Sequence, residues 1–292
     1  MQTAPKDRPT ALLGSLPALL AWATLLACAA SCALSAPPID DVLDAASAPS
    51  DKPLANAIAH FRANRADVAA ALAAARALFA AADVEVQRAL ADASESIDAD
   101  SPSDVLAAEE SLPDVILERI LGLANSGAEA AQAAIEQLAT DTAGHERHGQ
   151  EVEANVLLAQ HLSFVGWANG PVRSLMSGLG NRIQTAMARA IELDPEWCHG
   201  APLRLKGRFL AKAPWPLRDR DESLQLLQRA AQLRAMPIHH LFLGDILFEQ
   251  GDLENAIVQW RMVQTATPDE TTADTTADHR RMAASRLRAA AK

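Results

Sequence analysis

The chain has no tyrosine, and six phenylalanines and five tryptophans bring aromatic residues to only 4% of its 292 positions. Sandwiches and barrels draw on aromatic and β-branched residues for their strands, whereas alanine-rich segments favour helices that approach closely. An all-α protein is therefore expected. Cysteine is almost as scarce. Cys28, Cys32 and Cys198 are the three present, too few for a disulfide framework. Basic charge is in deficit, with 26 Lys and Arg against 37 Asp and Glu and a formal charge of −11. Sequence-independent binding of nucleic acid needs Lys and Arg to neutralise phosphates, so no nucleic-acid partner is expected. An anionic membrane surface would repel the chain as a whole for the same reason.

Catalytic signatures are also missing. The sequence contains no G-x-S-x-G elbow, P-loop, dinucleotide fingerprint or H-E-x-x-H, and Gly178-Leu179-Gly180 is too short to cradle phosphate. It is read as non-enzymatic, without catalytic residues or cofactor. The ligand-type side chains His145, His148, Cys198, His199, His239 and His240 do not form a closed set at metal-site spacing. Neighbouring histidines on a helix diverge by about 100°, so no metal centre is expected either.

What is present begins with Lys6 and Arg8, followed by an uncharged run from Ala11 to Ala36, the pattern of an export signal. Within it Leu25-Leu26-Ala27-Cys28 resembles the lipobox of bacterial lipoproteins, which implies lipidation of Cys28 and a signal peptide over 1–27. Ala29-Ala30-Ser31-Cys32 is a poorer second candidate. Cleavage near Ser35 and retention as an uncleaved anchor stay open, the run approaching the roughly 20 residues that span a bilayer. Ala29 stands where inner-membrane lipoproteins carry Asp, so the resemblance implies an outer-membrane lipoprotein facing the periplasm; a soluble periplasmic protein is the alternative. Residues 28–53, rich in Pro, Ser, Asp and Ala towards their end, read as a flexible tether.

From residue 54 to 150 helical periods recur. Leu54, Ile58 and Phe61, then Val68, Leu72, Ala75 and Phe79, predict an α-hairpin with Asn64 in its turn. The acidic stretch Ser94 to Ser103 predicts a loop, with Pro102 opening the next helix. Val115, Ile116, Ile120 and Leu123 form another stripe, and Asn125-Ser126-Gly127 predicts its end. Residues Thr140 to Gly149 are polar.

The segment 151–270 is more explicit. In Pro237 to Glu270, Leu243-Gly244, Leu247, Gly251, Ala256, Trp260, Val263 and Pro268 fall at the spacings of a tetratricopeptide (TPR) unit of ~34 residues. Ala190 to Pro195 resembles the end of another unit, whose first helix is Val156 to Trp167 and whose insertion is Gly166 to Gly180. Between them Gly207, Leu210, Ser223, Leu227 and Ala230 fall at repeat positions, with an extra loop Ala213-Pro214-Trp215-Pro216-Leu217. The resemblance implies a right-handed α-α superhelix of helical hairpins with insertions, which binds along its concave face. Residues 271–292 read as a low-complexity loop and a basic capping helix from His279 to Ala290, solvated at the solenoid end.

Ala190 to Pro195, His199-Gly200-Ala201-Pro202, Lys212 to Pro216 and His240 to Leu243 together resemble exported TPR proteins of the T-component family of tripartite ATP-independent periplasmic (TRAP) transporters. That likeness covers 155–290 and implies a protein partner, such as a periplasmic solute-binding protein. Direct binding of a small organic anion and a role in assembling pili or outer-membrane proteins are the alternatives, and homo-oligomerisation is left open.

The candidate binding residues follow from helix geometry. Arg204, Arg208 and Lys212, four apart, set three cations on one side of a helix. They would grip a carboxylate, or pair with Asp245 and Glu249 on the corresponding turns of the next unit. Trp215 is either a recognition tip or a plug for the gap its own insertion makes.

Overall fold

A computed structural model describes residues 52–140, 146–267 and 274–292. The expected signal peptide, Cys28, Cys32, the expected tether up to residue 51, His145 and part of the Thr-Thr-Ala-Asp tandem lie outside the described residues. Those described form helices and no strand. In chain order these are α1 (Lys52–Ala63), α2 (Val68–Ser96), α3 (Pro102–Glu109), α4 (Asp114–Thr140), α5 (Glu146–Asn169), the short α6 (Pro171–Met176) and α7 (Leu179–Leu193). Then come α8 (Trp197–Lys212), α9 (Arg220–Leu233), α10 (Pro237–Glu249), α11 (Leu253–Thr265) and α12 (Thr276–Ala290). The all-α class expected from composition is the observed one.

Local chemistry sets the helix starts. Asp67, Asp219 and Asp252 accept from the amides of Ala69, Glu222 and Asn255 at 3.0, 2.9 and 3.1 Å, satisfying donors that the first turn leaves unpaired. Ser101 and Asp104 form a capping box ahead of α3, and proline stands in the first turn of α3 and α10.

Two apolar cores share α2 as a spine. Its first half contributes Ala71, Leu72, Ala74 and Ala75 to a core with Ala130, Ala131 and Ala134 of α4, Leu157, Leu158 and Leu162 of α5, and Ile183 and Met187 of α7. Its second half places Ala91 in another core with Leu227, Leu241, Ile246, Trp260, Val263 and Met282 from α9 to α12. At ~1.5 Å per residue the 29 residues of α2 run about 43 Å, long enough to serve both. Within the pairs α8/α9 and α10/α11 a glycine admits a large side chain. A Cβ on Gly207 would sit 2.7 Å from Leu227, and one on Gly244 2.5 Å from Trp260.

Several expectations are corrected. Asn125-Ser126-Gly127 does not end a helix, since α4 runs unbroken from Asp114 to Thr140. Gly127 is there for packing: a Cβ on it would lie 2.0 Å from the imidazole of His161 on α5. Val115 belongs to no buried stripe and is exposed. The acidic loop is shorter than expected, because α2 continues to Ser96. Cys198, His199 and Gly200 have left-handed backbone, φ +46°, +59° and +85°, which kinks α8 before Ala201. The largest correction concerns the C-terminus. Met282, Ala283, Arg286 and Ala289 are buried and α12 packs against α2, α3, α10 and α11, so it is no solvated cap.

Candidate functional site

The first helix of each C-terminal pair projects its polar residues towards α3 and α12. Arg286 of α12, with no exposed surface, donates Nε to Asp245 Oδ1 at 2.7 Å and Nη2 to Asp245 Oδ2 at 3.1 Å. Its Nη1 and Nη2 also donate to the two carboxylate oxygens of Glu109 at 2.7 and 2.8 Å, and Nη1 reaches the Met282 carbonyl at 3.1 Å. One guanidinium thus ties α12 to α10 and α3 through two bidentate forks. Trp260 of α11 completes the shell, donating Nε1 to Asp245 Oδ1 at 3.2 Å.

The three predicted cations join this cluster or its edge. Arg208 donates to Asp245 Oδ2 at 3.1 Å and lies 4.4 Å above the Phe242 ring, a favourable stacking position for a guanidinium. Lys212 donates to Glu249 at 2.9 Å and to Glu110, just beyond α3, at 3.2 Å. Arg204 is buried and donates to His239 Nε2 at 3.0 Å, while His239 Nδ1 donates to the Arg234 carbonyl at 2.8 Å. The pairing expected with Asp245 and Glu249 is present for Arg208 and Lys212, and Arg204 departs from it. Arg208 and Lys212 meet carboxylates of the fold, whereas Arg204 is bonded to a histidine.

The electrostatics follow from who shares whom. Burial alone would raise the Asp245 carboxyl, but Arg286 and Arg208 outweigh it and hold the group below the usual carboxylate range. Glu109 shifts the other way. Burial dominates there, because its one strong partner, Arg286, is shared with the nearby negative Asp245. Arg286 itself is held above its ordinary value: burial works against its charge, and Asp245 and Glu109 more than compensate. His279, buried beside this group with neither ring nitrogen bonded among the described residues, is pushed down to about 3 by burial and by the Arg204 and Arg286 charges.

Sequence reasoning paired Arg208 with Asp245 and Lys212 with Glu249; it did not foresee the bond of Arg204 to His239, and it missed Glu109 and Arg286. Arg286 was hidden in a basic run that reads as solvated surface. Its signal is the period Met282, Arg286, Ala289, a buried stripe with a charge in its middle. The rest of the basic run also has partners: Arg281 bonds Asp92 and Glu95 of α2 at 2.6 and 2.7 Å, and Lys292 meets Asp98 at 2.5 Å. Trp215 does not plug its loop; 85% of it is exposed. Of the histidines weighed as metal ligands, His240 bonds Gln259 and His199 bonds Arg234. Among the described residues no group of three His, Cys, Asp or Glu is placed to hold a metal ion. A separate cleft of about 170 Å³ is lined by Ile58, Phe61, Leu78, Arg65 and Glu129, the last two paired at 2.8 Å.

The fold and this cluster define an all-α protein of packed, repeat-like helical pairs, and no helix among the described residues is long and apolar enough to cross a membrane. No protein-family model and no curated protein matches the chain.

Proposed function

We propose that the protein is a helical-repeat scaffold of the bacterial cell envelope, attached through a lipid on Cys28, that holds a partner protein on its outer surface. One observation carries this reading. The charged side chains that converge inside the pairs bond each other, as in Arg286 with Glu109 and Asp245, while large apolar side chains remain exposed outside. On α11 these are Leu253, Val258 and Met262, the last two one helical turn apart and therefore on one face. Interfaces of this kind are anchored by a few apolar residues set within a polar rim.

The TRAP-family resemblance makes a periplasmic solute-binding protein the first partner to test. Affinity capture from solubilised envelopes compares the native chain with the double variant Val258→Glu/Met262→Glu. Specific recovery of a solute-binding protein by the native chain, lost in the folded variant, is the expected outcome; equal recovery by both rejects this docking face. Replacement of Cys28 by Ala should abolish acyl labelling and weaken membrane retention. If labelling persists, the anchor is misassigned.

A further inference from the structure

Two insertions that the helical pairs do not need meet at one place. The first is α6, bracketed by Gly170 and Gly178 with φ +78° and +69°. Ser174 Oγ lies 2.8 and 2.7 Å from the carbonyl oxygens of Gly166 and Gly170, which share its one proton; this holds α6 against α5 with its apolar residues outward. Val172, Leu175 and Met176 are 57%, 48% and 64% exposed. The second is the loop 213–219, held by Leu217 N to Pro214 O at 2.9 Å, Asp219 N to Leu210 O at 3.1 Å and Arg218 Nε to Ala213 O at 2.9 Å. Its Leu217 side chain lies 2.4 Å from where a Cβ on Gly180 would stand. That contact seats the loop on the first turn of α7, directly after α6, and leaves Trp215 exposed.

The charge of this tip is opposite to that of the chain. Residues 170–182 and 213–220 contain Arg173, Arg182, Arg218 and Arg220 against Asp219, whose side chain caps α9; of the two acids that follow, Asp221 and Glu222, the second is paired with Lys206. The four arginines are exposed, although Arg220 also lies 3.8 Å from Glu249. In physiological salt charges act over about 8 Å, so the local excess of cations decides what meets the tip, not the net −11.

We infer that this tip is a lipid-contact site, where Trp215, Met176, Leu175 and Val172 enter the interface of an anionic bilayer and the surrounding arginines meet its phosphates. Tryptophan is favoured at the headgroup level because its ring is apolar with one polar edge. Basic residues add attraction to anionic lipid, and one acyl chain combined with such a patch anchors far better than the chain alone. The contact supplements the proposed Cys28 lipid and does not depend on it.

The test is local, so that attachment through the N-terminal segment does not obscure it. Full-length protein is bound to vesicles of phosphatidylcholine, alone or with about one third phosphatidylglycerol, and hydrogen exchange is followed at amides 172–177, 215, 217 and 218. Anionic vesicles should slow exchange there at least about threefold, with α2 and α12 unchanged as internal standards. Trp215→Ala/Met176→Ser should abolish the protection, and Arg173→Glu/Arg218→Glu should abolish the preference for phosphatidylglycerol. Equal exchange with both lipids and in solution overturns the inference. So does protection that appears only when a second protein is added, which would make the tip a protein-docking site.

Discussion

Replacing Arg286 by Met keeps most of the side-chain volume and removes the charge that joins α12 to α3 and α10. Asp245 retains Arg208 and Trp260, so the penalty falls on Glu109, left as a buried carboxylate without its fork. Removing one partner of a buried pair costs about 3–5 kcal/mol, a large part of the roughly 5–15 kcal/mol that holds a domain folded. At about 2–4 °C per kcal/mol the melting temperature should fall by roughly 6–20 °C. Chemical unfolding at pH 7, followed by helical circular dichroism, measures the loss directly. Arg286→Met/Glu109→Gln should recover about 1 kcal/mol or more of it, because the second change removes the stranded charge. A loss under about 1 kcal/mol for the single variant, the range of an exposed pair, would refute the placement of Arg286.

Two further perturbations probe the other half of the fold. Gly127→Ala should gain about 1 kcal/mol if the site were only a helical position, yet its methyl would overlap the His161 ring at 2.0 Å. A net destabilisation of about 1–3 kcal/mol, the cost of overpacking, is expected in the same unfolding assay; a stabilised variant would show that α4 and α5 do not approach there. The buried histidines make the fold acid-sensitive. Burial pushes His161 down to about 4, against the hydrogen bond its Nε2 makes to the Ala75 carbonyl, and His279 to about 3. The unfolded chain titrates these groups near 6.5 and so takes up protons first as pH falls. Their contribution is complete above about pH 6.5 and is lost towards pH 4 at about 1.4 kcal/mol per pH unit for each. His161→Gln should therefore reduce the slope of stability against pH between 6 and 4 relative to the native chain, whatever its effect at pH 8. An unchanged slope would mean that His161 is hydrated in the folded protein.

Much of the fold was legible because the signals were local. Apolar periods gave most helices, Pro102 and Asn64 marked boundaries, and Gly207 and Gly244 lie where helix pairs need a small residue. The failures share a cause, since each depended on a partner distant in sequence. Gly127 reads as a terminator until His161 is brought against it. The basic helix after residue 276 reads as solvated surface and the acidic stretch from Ser94 as a loop, although their charges are complementary and they neutralise each other across nearly two hundred residues. Four-residue spacing found the cations Arg204, Arg208 and Lys212. It gave no view of Glu109, which a non-local fold delivers to the same place.

The central claim is that α12 folds back onto α2 and α3 and packs against the pair α10/α11. Zero-length carbodiimide coupling, followed by peptide mass spectrometry, tests it on the unaltered chain. The expected products join Lys292 to Asp98 and Lys212 to Glu110, whose atoms lie 2.5 and 3.2 Å apart, alongside Lys206 to Glu222 of the α8/α9 pair as the internal standard. Recovery of the Lys206 product without the other two would contradict the closure and leave an open array with a solvated C-terminal helix.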